Sequence, residues 1–238
     1  MVQDWWNAFI NGFTRTAPLS VPATELVWLL VGAAALCVVP VLWRFFGRFV
    51  TIVHELGHAF AGLATGMRVT GITLRRDQGG TTLGVGRGRA VWFGFWGYPA
   101  PAATGTAFIA ASMQGWGRAA LSATVVVLVL TFLFIRNVQG VFILLGAILA
   151  VAILVVAVPP EIQGHLTLAA GIGLILGAVR DWWNLVSVHT TRRRELASSD
   201  AFILARRTGV PAPVWLLSFA AVIALCAAGA WLALGVGL

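Results

Sequence analysis

Residues 50–60 read V-T-I-V-H-E-L-G-H-A-F, so His54, Glu55 and His58 form an HExxH pattern. On a helix, positions i and i+4 share a face. Two imidazoles so placed can hold one Zn²⁺ through ring nitrogens. Glu55 can then reach a metal-activated water and serve as general base, and afterwards as acid to the leaving amine. The chain has four histidines and eight acidic residues, and three of these fall within five positions. They also lie in an apolar stretch, where ionisable groups are costly and mark function by default. The same three residues could alternatively act as polar glue between helices, or as a proton or metal-ion path.

The elements that must position them are set by composition. Of 238 residues, 59% are hydrophobic and 10% are charged, against about 25% charged in soluble domains. A soluble enzyme, a disordered chain and a disulfide scaffold are excluded. The expectation is an all-α polytopic membrane protein, a single integral membrane domain over 1–238, with six or seven transmembrane helices. Spans are read near 24–43, 49–66, 98–113, 118–135, 139–158, 164–187 and 213–237. Cys37 and Cys226 lie in apolar runs and read as small buried hydrophobes.

Residues 1–23 lack the form of a cleavable signal peptide. Trp5, Trp6, Phe9, Ile10 and Phe13 have helical spacing and suggest an interfacial helix. After the HExxH span, "VTGITL" and "TTLGVG" flank "RDQGG" and read as two short strands. A membrane-surface, β-hairpin-like insert is therefore expected over 67–97. Every basic residue is arginine and the net charge is +8. No soluble region is long enough for a nucleic-acid reader. With seven spans and the N-terminus inside, twelve of the sixteen arginines fall on the inner side, three fall outside, and Arg180 lies within a span. The positive-inside bias makes the N-terminus and the 188–212 loop cytoplasmic.

The stretch "HELGHAFAGLATGMRVTGITL" resembles the site-2 protease family of intramembrane zinc metallopeptidases. "GYPAPAATG" (97–105) is similar to the Gly-rich start of the next family helix. "IRNVQG" (135–140) and "SSDAFILARRTGVP" (198–211) resemble actinobacterial-type members. The resemblance implies a zinc metallopeptidase of the cell membrane, embedded in the lipid bilayer and cutting a membrane-anchored protein substrate. A transporter or scaffold that keeps a metal or proton site is the alternative. The family places its third metal ligand in an Asp-Gly pair, and this chain has none.

Two aspartates compete for that place. Asp200 could instead share the N-capping of a helix starting near Ala201 with Ser198 and Ser199. Arginines flank it on both sides, which reads as a surface position. Asp181 lies within a span. It is eleven residues before Arg192, as His58 is ten before Arg68, which puts both about 15 Å deep at 1.5 Å per residue. Asp181 is therefore preferred as third ligand, with Asn184 at i+3 to orient it or bind substrate. His165 reads as an interface residue and His189 as a solvated one. Gly140, Gly146, Gly171, Gly173 and Gly177 read as close helix packing.

Overall fold

The structure is a computed structural model and describes residues 2–86 and 89–235. Arg87, one of the arginines in the topology count, lies outside the described residues. The elements in chain order are α1 (Val2–Gly12), α2 (Ala23–Val38), α3 (Pro40–Ala64), β1 (Arg68–Leu74), β2 (Gly80–Val85), α4 (Ala90–Phe95) and α5 (Pro99–Met113). They continue with α6 (Gly117–Thr131), α7 (Val138–Ala157), α8 (Pro160–Thr190), a 3-10 turn (Arg193–Ser198), α9 (Asp200–Thr208) and α10 (Ala212–Leu234).

Each apolar segment forms a helix, but the expected six or seven spans reduce to three or four. Among the described residues, only α7, α8 and α10 are long and apolar enough to cross a membrane singly. Helices α2 and α3 make a fourth candidate only as a pair, bent by 91°. Pro40 opens α3, and it forces Val39 into an extended conformation that ends α2. Helices α5 and α6 have 15 residues each, about 22 Å of helix against a hydrocarbon core of about 30 Å. The 98–113 stretch is short in the sequence as well, whereas α6 stops at Thr131, before the end of the expected 118–135 span.

Helix α5 packs against both α8 and α10. The α5–α8 contact depends on glycine: a Cβ at Gly105 would lie 2.5 Å from the Gly171 carbonyl oxygen, and one at Gly171 2.7 Å from that of Gly105. Two backbones can touch only where neither carries a side chain. Gly146, in contrast, faces open space and has no packing role. Helix α1 forms as expected. It rests Phe9 on the α6–α7 cluster while Trp5, Trp6 and Ile10 stay exposed.

The β insert is an antiparallel pair, registered from Arg68↔Val85 to Leu74↔Gly80 with an irregularity between Val69 and Gly71. It folds back along α3. At its base, Met67 N donates to Gly62 O at 2.9 Å. At its tip, Thr51 Oγ1 donates to Gln78 O at 3.0 Å and Gln78 Nε2 to Trp43 O at 3.2 Å. The far edge of β1 is capped by the α6–α7 connection. Ile72 N donates to Phe134 O (2.7 Å) and Arg136 N to Ile72 O (3.0 Å). The Asn137 amide accepts from Leu74 N (3.1 Å) and donates to Leu74 O (2.8 Å). Residues 134–137 thus line the edge of β1, with an isolated bridge between Ile72 and Ile135, and the rest of "IRNVQG" begins α7.

Candidate metal centre

His54 and His58 sit one turn apart in the second half of α3, with Glu55 beside His54, where the helix meets the hairpin, α4 and the start of α5. Glu55 and His58 are buried. The His54 and His58 rings meet edge to face at 4.9 Å, and their Nε2 atoms are 3.1 Å apart. His58 Nδ1 lies 2.7 Å from the Phe93 carbonyl oxygen at the α4 turn. A carbonyl only accepts, so Nδ1 carries a proton and donates it, and Nε2 is the nitrogen turned toward His54 and Asp200. Tyr98 packs edge-on against the His54 ring at 4.7 Å.

The third member of the group is Asp200. Its Oδ2 is 3.4 Å from both His54 Nε2 and His58 Nε2. These three ligand atoms form the group of described residues that could hold a metal ion, all lying within 4.8 Å of one another. Burial pushes the Asp200 carboxyl up, but the two facing imidazoles outweigh it and hold the group below the ordinary carboxylate range. The donor set also fits a metal in its spacing. Ligand atoms about 2.0–2.1 Å from a tetrahedral Zn²⁺ lie roughly 3.3–3.4 Å from one another. The observed separations are 3.1, 3.4 and 3.4 Å.

Asp200 is free for this role because its neighbour does the capping. Ser199 is the N-cap of α9, its Oγ accepting from Phe202 N at 3.2 Å. His189 Nε2 holds the same Oγ at 2.7 Å. His189 is therefore not the solvated residue that its place before an arginine run suggested. It ties the end of α8 to the start of α9. The 188–212 segment is ordered, through a 3-10 turn and α9, and returns toward α3.

Asp181 and Asn184 line the same cavity of about 580 Å³ as the three-residue group, but they do not join it. The Asn184 side chain accepts from Arg192. Arg180 is turned toward α2 and α3, donating to the Cys37 carbonyl and stacking 4.3 Å from the Trp43 ring. Asp200, the alternative to Asp181, is the carboxylate that stands beside the two histidine nitrogens. The depth estimate followed straight helices to the surface, whereas α9 doubles back and delivers Asp200 from beyond the end of α8.

Three further residues shape the site. Thr82 Oγ1 lies 2.7 Å from Glu55 Oε2. Phe93 supplies the carbonyl for His58. Gly97 leaves space for the imidazoles: a Cβ there would be 2.4 Å from His58 Nε2 and 2.6 Å from His54 Nε2. None has a local signal in the sequence, although Gly97 opens the "GYPAPAATG" stretch.

A family model described as Peptidase M50B-like matches residues 27–230. No curated protein and no solved structure matches the chain.

Proposed function

We propose, from the premise that this chain belongs to the Peptidase M50B-like family of site-2 protease type, that it is an intramembrane zinc endopeptidase. Its substrates would be membrane-anchored or membrane-associated polypeptides. The observation that carries this reading is the spacing of His54 Nε2, His58 Nε2 and Asp200 Oδ2, which matches three corners of a zinc tetrahedron. In this reading His54, His58 and Asp200 hold the metal. Zinc, when bound, supplies Lewis acidity and an activated water.

The residues of the chain do the rest. Glu55, adjacent to the ligands but not one of the three, takes the proton of the attacking water and passes it to the leaving amine. Phe93 O fixes the tautomer of His58 through Nδ1–H. The edge of β1 is occupied by residues 134–137, whereas β2 residues 80–84 line the cavity. Among the described residues no further strand pairs with β2, and that edge beside the site supports binding of the substrate in extended form, its backbone added to β2. In this reading Asn184, exposed at the cavity wall, would meet that backbone. With α7, α8 and α10 as the spans and the bent α2–α3 pair re-entrant, the protein would lie in the cell membrane as a multi-pass chain with its N-terminus and its α8–α10 segment both cytoplasmic. Arg207 at the cavity and the nearby run Arg192–Arg194 support a cytoplasmic-facing mouth.

The test is Glu55→Gln in protein reconstituted with a membrane-tethered reporter polypeptide. Cleavage should fall to background while zinc content stays at the wild-type level. Wild-type cleavage by Glu55→Gln would remove Glu55 from the chemistry and the peptidase reading with it.

A further inference from the structure

Strand β2 touches Glu55 at two points. Thr82, 8% exposed, has its Oγ1 2.7 Å from Glu55 Oε2 and 3.1 Å from the Glu55 carbonyl oxygen. A hydroxyl has one proton to give. The shorter contact, in the range of a charge-assisted bond, goes to the carboxylate. Gly80 lies two residues earlier, on the same face of the strand. A Cβ there would stand 2.3 Å from Glu55 Oε1 and 2.7 Å from its Cδ. One carboxylate oxygen is thus held by a donor, and the other is seated against backbone that admits no methyl group.

The strand that makes these contacts is itself fixed. Thr82 pairs with Ile72 and Gly80 with Leu74. Leu74 is clamped by the Asn137 amide, and Ile72 by Phe134 and Arg136. The contact chain therefore runs from the α6–α7 connection through β1 and β2 to the Glu55 carboxylate. Residues 80–84 of the same strand line the cavity.

We propose that Thr82 is a positioning residue that aims the Glu55 carboxylate, so that the strand facing the substrate also sets the geometry of proton transfer. This rests on the reading of Glu55 as acid and base. A carboxylate without the Thr82 bond could rotate about its last torsion, and small losses of orientation at a reacting group are costly.

Thr82→Val keeps the shape and removes the hydroxyl, whereas Thr82→Ser keeps the hydroxyl. With an internally quenched mixed-sequence peptide pool as probe, Thr82→Val should lower kcat roughly 10- to 100-fold, the worth of a hydrogen bond to a charged group. KM and zinc affinity should stay within about twofold of wild type, and Thr82→Ser should recover most of kcat. A second readout needs no turnover. Thr82→Val should lower the thermal midpoint in the wild-type background but not in a Glu55→Ala background, because coupled residues are not additive. Unchanged kcat in Thr82→Val, a Thr82→Ser as slow as Thr82→Val, or an equal stability loss in both backgrounds would overturn the proposal. A wild-type protein that binds zinc but leaves the peptides uncut would count against the peptidase reading instead, and the stability comparison would still decide the role of Thr82.

Discussion

Gly97→Ala is the smallest substitution that should empty the metal site without touching a ligand. The added Cβ would lie 2.4 Å from His58 Nε2, 2.5 Å from His58 Cε1 and 2.6 Å from His54 Nε2. Ordinary contact begins at 3.4 Å, so the imidazoles must retreat by about 1 Å. A zinc site tolerates ligand displacements of only about 0.2 Å. The His58 ring cannot swing away freely, because Nδ1 is bound to Phe93 O and the ring packs on Phe93 at 5.4 Å. Zinc affinity should therefore fall at least about 100-fold, the upper end of what second-sphere changes cost. Competition with a chromophoric chelator measures this, with thermal unfolding of the metal-free protein as a check on folding. Gly146→Ala is the control, since nothing lies within 4 Å of its Cβ position. Wild-type zinc affinity in Gly97→Ala would refute the placement of the two histidines.

Ser199→Ala removes the cap of α9 and the partner of His189. It should cost about 1 kcal/mol of stability and weaken zinc binding roughly tenfold or more through Asp200, read by the same chelator competition. Asn137→Leu leaves the backbone N–H and C=O of Leu74 without their amide partner. It should destabilise by roughly 2–6 kcal/mol at about 1–3 kcal/mol per orphaned group, with faster amide exchange confined first to residues 68–85. Unchanged exchange there would deny the clamp. Asp181→Ala should leave zinc affinity within a few-fold of wild type, because Asp200 and not Asp181 stands at the histidine nitrogens. Its loss of zinc would restore Asp181 as a ligand.

What could be read from the chain was what is local in it. The HExxH spacing, the two strands about a Gly-rich turn and the helical stretches all rest on contacts within a few residues. Each appears in the structure near the expected positions. The number of spans was not legible, because apolarity and length are separate properties: the 15 residues of α5 and α6 are apolar but short, and Pro40 turns one apolar run into a bent pair. The place of Asp200 was hidden for another reason. Its flanking arginines and its capping serine describe a surface helix start. Only the return of α9 after the 3-10 turn brings that start to α3. Thr82, Phe93 and Gly97 meet the HExxH residues across 27 to 43 positions of sequence, a range over which a single chain carries no periodic signal.

The central claim is that His54, His58 and Asp200 together hold zinc. It is tested most directly by elemental analysis of the purified protein beside His58→Ala, Asp200→Ala and Asp181→Ala, prepared in parallel. The account predicts stoichiometric zinc in the wild type and in Asp181→Ala, and little or none in the other two. Zinc retained in full by Asp200→Ala, or absent from a folded wild type supplied with the metal, would contradict it.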